Sequence, residues 1–354
     1  MKIWEHPLYI EDLQRTAALP LPWKQLQEAT VLFSGGSGLI GSFLTDLIMY
    51  KNRMDGLDCH ITVMGRNLDK LRNRFAAYEG DPLLQILQQD VNSPIAPKVR
   101  NQKIDYLFHL ASNTHPLQYA TDPIGTVTTN IIGTNNLLEL GAEAGVRRFV
   151  FASSVEVYGE NRGDCEYFKE DYCGYIDCNT MRAGYPESKR AGEALCQAYI
   201  KQKGMDIVIP RLSRTYGPSM LQSDSKAISQ FIKKGVVRED IVLKSEGTQF
   251  YSYSYVSDAV SGILYCLFHG RCGEAYNIAD KASDIALRDL AKIIAEDAGT
   301  KVVFELPEQT EREGYSKATK AVLDSGKLQK LGWKACYDIR GGLTRTIAVL
   351  RDTM

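Results

Sequence analysis

Short apolar runs alternate with longer amphipathic stretches through the first two thirds of the chain. Residues 31–33, 59–64, 85–87, 106–111, 146–152 and 207–210 are predominantly apolar and bounded by Gly, Asn, Asp, Arg or Pro. Runs of this length predict buried strands. Between them the apolar residues recur at helical spacing: Phe43, Leu44, Leu47 and Ile48, then stretches at 68–77, 126–144 and 185–202. Strands separated by helices on this schedule predict an α/β fold with a Rossmann-type, doubly wound parallel sheet.

After Arg211 the alternation loosens. The pattern predicts a helix over 228–234, a tyrosine-rich extended segment over 249–256 and a helix over 258–268. A strand over 275–278 is expected to return to the main sheet. Further on it predicts a helix over 287–298, a strand over 301–305, a short helix over 323–331 and a last helix over 339–350. The division expected is an N-terminal extension over 1–29, a dinucleotide-binding domain over 30–210 with return segments at about 250–280, and a smaller substrate-binding domain over most of 211–354. Pro20 and Pro22 break the extension into a helical piece and a second piece at 23–28. Residues 160–183 are a polar excursion expected on the substrate side.

Composition narrows the class. A chain of 354 residues with 44% apolar and 24% charged residues can build a sizeable soluble core. A net charge of -1 gives no bulk attraction to nucleic acid or to a membrane surface. The first residues carry Glu5, Glu11 and Asp12 rather than a secretory pattern, and no window is as long as a membrane span. None of the eight cysteines forms a C-x-x-C pair, and the spacing of Cys165, Cys173 and Cys178 fits no common zinc site. A cytoplasmic protein with reduced thiols and no metal is expected.

The candidate chemistry begins at the first strand. Thr30 to Gly41 reads T-V-L-F-S-G-G-S-G-L-I-G. A strand that breaks into a glycine turn and opens a helix lets the backbone of Gly35, Gly38, Leu39, Ile40 and Gly41 approach a pyrophosphate. The second predicted strand ends in Gly65-Arg66. An acid there would hydrogen-bond the 2′-hydroxyl of NAD; Arg66 instead suits the 2′-phosphate of NADP or stacking on adenine. Asp90 and Val91 stand where the adenine would lie. Leu110, Ala111 and Ser112, at the end of the fourth strand, and Asn130, on the helix that follows, complete the expected dinucleotide set. Asn113 and His115 point to the substrate side. His109, inside an apolar strand, reads as a satisfied core residue.

Tyr185 and Lys189 lie four apart at the start of a helix and share a face. A tyrosine hydroxyl is a poor base alone; a lysine ammonium beside a cationic nicotinamide favours its phenolate. That group can take a hydroxyl proton while a hydride moves to the nicotinamide, with Ser154 holding the substrate oxygen. Glu156, two residues on, is placed for proton transfer.

Here the chain resembles the extended short-chain dehydrogenase/reductase family, the NAD-dependent nucleotide-sugar epimerases and dehydratases. The likeness runs over residues 30–350 through G-G-S-G-L-I-G, D-Y-L-F-H-L-A-S, N-I-I-G-T-N-N-L-L-E, F-A-S-S-V-E-V-Y-G, Y-P-E-S-K, R-T-Y-G-P, Y-V-S-D-A-V and K-L-Q-K-L-G-W. The resemblance implies NAD, oxidation at C4 of a nucleotide-linked hexose, chemistry on the 4-keto intermediate, and a homodimer through helices near 126–143 and 186–202. The 4,6-dehydratases carry an Asp–Glu pair where this chain has Val155-Glu156, so their acid is missing. The UDP-glucuronate decarboxylases carry an arginine where this chain has Tyr251. Arg214 replaces the family's asparagine before T-Y-G-P; it is read as supplying the phosphate-directed charge that Tyr251 does not, with Tyr251 stacking on base or sugar. The reading is an epimerase, with dTDP-glucose 4,6-dehydratase-like or UDP-glucuronate decarboxylase-like chemistry as alternatives. An NADP-dependent reductase follows, and then a non-catalytic cofactor sensor, against which the intact Ser154, Tyr185 and Lys189 argue.

Overall fold

The computed structural model describes residues 1–114, 116–305 and 319–354. The chain opens with α1 (Pro7–Ala17), then runs β1 (Thr30–Ser34), α2 (Leu39–Asp55), β2 (His60–Gly65), α3 (Leu68–Arg74), β3 (Leu84–Gln88), α4 (Pro97–Arg100) and β4 (Tyr106–His109). Two helices follow, α5 (Pro116–Thr121) and α6 (Pro123–Ala144), then β5 (Arg148–Phe151), β6 (Ser153–Ser154), α7 (Gly184–Lys203) and β7 (Ile207–Leu212).

These strands and a later one, β11 (Ala275–Ile278), form a parallel sheet in the order β11-β7-β5-β4-β1-β2-β3, with β6 beside β7. The chain leaves β1 in one direction for β2 and β3, then crosses back for β4 and β5. That reversal opens a crevice beyond the carboxyl ends of β1 and β4, the place where such sheets bind ligands. β1 shows why the sheet is legible: Val31, Leu32 and Phe33 are buried on both faces, as a central parallel strand requires.

The second half contributes β8 (Arg214–Tyr216), α8 (Ala227–Val236), β9 (Ile241–Leu243), β10 (Phe250–Tyr255), α9 (Val256–His269) and β11 (Ala275–Ile278). It ends with β12 (Asp284–Ala286), α10 (Leu287–Ala298), β13 (Val302–Phe304), β14 (Lys320–Ala321), α11 (Gly326–Gln329) and α12 (Ile339–Thr353). β11 returns to the main sheet beside β7, as the pattern predicts. β10 is the hub of a second sheet with β8, β12 and β14, and β13 pairs with β9. The run at 241–243, too short to be read from the pattern, is that extra strand. The helix expected over 323–331 is reduced to its middle, because Leu323 instead bridges to Phe168 and so ties down the excursion.

The N-terminal extension is woven into the core. Tyr9 and Asp12 on α1 are fully buried. The Tyr9 hydroxyl donates to Asp46 of α2 at 2.6 Å. Asp12 accepts from Tyr255 of β10 at 2.6 Å and from Tyr337 at 2.8 Å, and pairs with Arg345 of α12 at 2.9 Å. One helix thus ties the first helix of the glycine turn to the second sheet and the last helix. Among the described residues, no helix is long and apolar enough to cross a membrane and no His, Cys, Asp and Glu group could hold a metal.

Candidate active site

The glycine turn comes first because everything else is placed around it. Gly35 has a φ of +70°, and a Cβ on it would stand 2.8 Å from the backbone of Ala111. The end of β1 therefore meets the end of β4 at a distance only glycine permits. A Cβ on Gly41 would likewise stand 2.8 Å from Gly36 and the Gly35 carbonyl. Gly38 caps α2 without a side-chain hydrogen bond. The first N–H groups of α2, on Leu39, Ile40 and Gly41, are the donors that a helix start leaves for an anion. A closely packed, uncapped turn of this kind fits a dinucleotide pyrophosphate.

His109 fixes the strand end opposite. Its ring nitrogens meet Ser34 Oγ at 2.9 Å and Thr134 Oγ1 at 3.0 Å, and Ser34 Oγ accepts from the N–H groups of Leu110 and Ala111. Burial, with the Lys189 charge second, holds the imidazole well below its usual pKa, so it is a neutral core residue. Ser112 donates to Asn130 at 2.7 Å, Asn130 donates to Ser188 at 2.9 Å, and Ser188 donates to the Tyr185 carbonyl at 2.9 Å. This chain of bonds ties the β4 end and α6 to the helix that carries Tyr185.

Tyr185 itself is buried, with Ser154 and Ser112 beside its hydroxyl. Burial pushes its hydroxyl up to about 12, against the lowering effect of Ser154 and of the Arg182 charge. Lys189 is buried too. Its ammonium donates to the Ala152 carbonyl at 2.8 Å and lies 4.9 Å from the Phe151 ring centre. Burial lowers it to about 8. The pattern puts Lys189 forward as the charge that favours the phenolate; its ammonium lies on the Ala152 carbonyl, and Arg182 is a second cation whose charge lowers the Tyr185 hydroxyl.

Arg182 is the residue that the sequence reading missed. It stands three residues before Tyr185, in the turn that leads into α7, and that proximity was the available signal. Its Nη2 donates to Glu156 at 2.7 Å, and its guanidinium lies 4.8 Å from the ring centre of Tyr119, which in turn lies 5.0 Å from that of Tyr185. Arg214 reaches Glu156 from the other side at 3.8 Å and stacks on Tyr251 at 3.5 Å. Burial pushes the Glu156 carboxyl up; the charges of Arg182 and Arg214 outweigh it and hold the group below the usual range. Glu156 is an ionised carboxylate held between two guanidinium groups.

The remaining expected residues are scattered around this centre. Arg66 is exposed at the end of β2. Asp90 accepts from the Asn92 N–H at 2.9 Å, a turn contact, and the buried Val91 holds Asn136 through its carbonyl at 2.7 Å. Asn113 is buried and turned to Asp122 and Thr126 at the start of α6, so it positions that helix. His115 lies outside the described residues.

Comparison with known proteins gives the family. A model of the NAD dependent epimerase/dehydratase family matches residues 31–279. The chain is 31% identical over 350 residues to UDP-glucuronic acid decarboxylase 1 of Xenopus tropicalis, spanning 98% of this chain and 78% of that protein. It is 32% identical over 315 residues to UDP-glucuronic acid decarboxylase 3 of Arabidopsis thaliana, spanning 88% and 86%. Among solved structures, the dTDP-glucose 4,6-dehydratase DesIV of Streptomyces venezuelae, with NAD bound, superposes with a TM-score of 0.77 at 25% identity over 91% of this chain and 97% of that one. A UDP-glucuronic acid 4-epimerase of Bacillus cereus shares the fold at 22% identity, with a TM-score of 0.77 over 91% and 99%. The relatives shift the weight from epimerisation, the first reading of the sequence, to its decarboxylase alternative. The chain is an enzyme of the NAD-dependent epimerase/dehydratase family.

Proposed function

We propose that this enzyme oxidises C4 of a nucleotide-linked hexuronate and releases its C6 carboxyl group as carbon dioxide, as a UDP-glucuronate decarboxylase does. The observation that carries the reading is the charge around Glu156. Two guanidinium groups face one carboxylate, and Nη1 of both Arg182 and Arg214 is buried without a hydrogen-bond partner. A buried unpartnered donor costs about 1–3 kcal/mol. A hydroxyl of a neutral hexose could accept one such bond; a sugar carboxylate accepts two and also balances the second positive charge, which a neutral hexose does not. Arg214 also brings a positive charge to the face of Tyr251, where the decarboxylases are read to carry arginine. This modifies the phosphate-directed role that the sequence suggested for it.

A nicotinamide ring bound at the glycine turn would accept the hydride from C4 and can return it. Tyr185 takes the C4 hydroxyl proton and Ser154 holds the oxygen. With C4 oxidised, the C6 carboxylate is β to a ketone. The C5–C6 bonding electrons move into an enolate on the C4 oxygen and carbon dioxide leaves; a proton from water adds at C5, and return of the hydride to C4 with the proton held by Tyr185 restores the C4 hydroxyl. Ser154 and Tyr185 face the oxygen that gains charge. We place the enzyme in the cytoplasm as a homodimer through α6 and α7; Ile124 and Ile132 stand exposed on α6, which supports a partner there.

The test is product mass after incubation with UDP-glucuronate, UDP-glucose and dTDP-glucose, with cofactor supplied. Loss of carbon dioxide from the uronate is expected. An isomer of unchanged mass, or loss of water from the hexose, overturns the proposal. Arg182→Ala should raise the KM for the uronate at least about tenfold, the value of roughly one charge-assisted hydrogen bond.

A further inference from the structure

Tyr185, Lys189 and Glu193 recur every four residues on α7 and so share one stripe of it. The proposed chemistry uses the first two and leaves the third without a task. Glu193 is largely buried, and both oxygens of its carboxylate are engaged. Oε1 accepts from Ser153 Oγ and, at 3.0 Å, from Arg211 Nε; Oε2 accepts from Arg211 Nη2 at 2.7 Å. The third nitrogen of Arg211 donates to the Tyr158 hydroxyl at 2.9 Å and to the Glu170 carbonyl at 2.7 Å. Tyr158 donates in turn to Asn277 of β11 at 2.6 Å, whose N–H donates to the Glu170 carboxylate at 2.8 Å. The carboxylate on α7 is thereby tied through Arg211 to the edge strand of the main sheet.

Its other attachment is the strand end of the site. Ser153 lies between Ala152, whose carbonyl accepts from the Lys189 ammonium at 2.8 Å, and Ser154, which stands beside the Tyr185 hydroxyl. Where β6 runs beside β7, Ser153 is paired with Arg211 and Ser154 with Leu212. The helix is also pressed against β5: a Cβ on Gly192 would stand 2.5 Å from the Phe151 ring, whose centre lies 4.9 Å from the Lys189 ammonium. We propose that Glu193 is a positioning residue for proton transfer at C4: through Ser153 and Arg211 it locks α7, with Tyr185 and Lys189, to the strand end that carries Ser154. The inference rests on the proton transfer of the proposed function and assigns the group that aligns it. The same carboxylate acts on charge. The groups that face Lys189 are Glu193 and Cys196 on its own helix and His109 on β4, with Arg211 of β7 behind Glu193. His109 is neutral, and burial keeps the Cys196 thiol undissociated. Burial disfavours the Lys189 ammonium and the Glu193 charge supports it.

Turnover of the full chain across pH tests this, on whichever of UDP-glucuronate, UDP-glucose and dTDP-glucose the parent converts. Glu193→Gln keeps the shape and removes the charge. It should lower kcat roughly a hundredfold with KM nearly unchanged, the cost of misaligned reacting groups. Without the carboxylate Lys189 gives up its proton more readily, so the alkaline limb of the kcat profile should move down by about one pH unit. Glu193→Asp keeps the charge on a shorter stem and should recover most of kcat and the position of that limb. Ser153→Ala removes one bond and no charge, so kcat should fall less and the limb should stay. Glu193→Gln leaves Arg211 facing no carboxylate. Should it fail to fold, Glu193→Gln combined with Arg211→Gln is neutral on both sides and carries the same test. A folded variant with the parent kcat, or one that loses kcat with an unmoved limb, overturns the inference. A parent that converts a sugar without losing carbon dioxide overturns the proposed decarboxylation and leaves this inference to the same variants. A parent that converts none of the three overturns both.

Discussion

Asp46 on α2 and Glu156 in the turn after β6 are both carboxylates held by arginine, and they differ in how the charges close. Both oxygens of Asp46 are taken, by Tyr9 at 2.6 Å, by Tyr78 at 3.0 Å and by Arg74, and its side chain has no exposed surface. One guanidinium faces one carboxylate, and Arg74 uses both of its terminal nitrogens there. Around Glu156 two guanidiniums share one carboxylate. One contact is short and the other is 3.8 Å, and each arginine keeps a terminal nitrogen without a partner. Asp46 closes its charge within the fold. Glu156 leaves one positive charge open beside Tyr185. Arg74 too keeps one nitrogen, Nε, without a partner, so what separates the two places is the count of charges: one against one at Asp46, two against one at Glu156.

Substitutions at the two carboxylates should separate these roles. The largest effect is expected at Glu156. Glu156→Gln keeps the shape and removes the charge that positions Arg182 and Arg214, so turnover on the uronate should fall by roughly 10²-fold, the cost of a misplaced substrate. Its melting temperature should shift little, because Arg182 and Arg214 remain partly hydrated. Unaltered turnover would reduce Glu156 to a structural anchor like Asp46. Next comes Asp46→Asn, which leaves Arg74 charged and buried without its counter-ion. Urea unfolding should show a loss of about 3–5 kcal/mol, the cost of breaking a buried pair from one side. Turnover per folded molecule should stay at the parent value, and a selective loss of turnover would break the comparison.

The two carboxylates also mark what the sequence can and cannot tell. The parallel sheet was legible because apolar runs and helical spacing are local signals, and β1 and β4 fall where those signals put them. The glycine turn and the helix that carries Tyr185 and Lys189 were legible for the same reason: each is a fixed offset within one turn or helix start. Contacts over long separations were not. Asp46 lies in an amphipathic helix like any other charged residue until Tyr9 and Tyr78 come to meet it from separate segments. Arg182 lies close to Tyr185 in sequence, but its value depends on Glu156, which another strand delivers. Asn113 was read as facing substrate; folding turns it to the start of α6, a choice set by Thr126 and Asp122.

The smallest effect that still discriminates is at Tyr78. Its hydroxyl donates to Asp46 Oδ1, whose other contact, from Arg74 Nη1, is long at 3.4 Å. Tyr78→Phe deletes that bond and keeps the ring, including its stacking under Arg53 at 4.9 Å. A hydrogen bond to a charged group is worth about 1.5–3 kcal/mol, so the variant should be less stable by that amount with turnover unchanged. The pH dependence is fixed as well. Burial first and the Asp46 charge second raise the Tyr78 pKa above its unfolded value of about 10, so the hydroxyl stays a donor in the folded state throughout neutral pH. A group raised in this way contributes its full stability below the unfolded value and loses it only as pH rises beyond. The difference between parent and Tyr78→Phe should therefore be flat across neutral pH and shrink only in strong base. A difference that instead vanished at neutral pH would mean that the Tyr78 hydroxyl is not among the contacts that hold Asp46 in the fold.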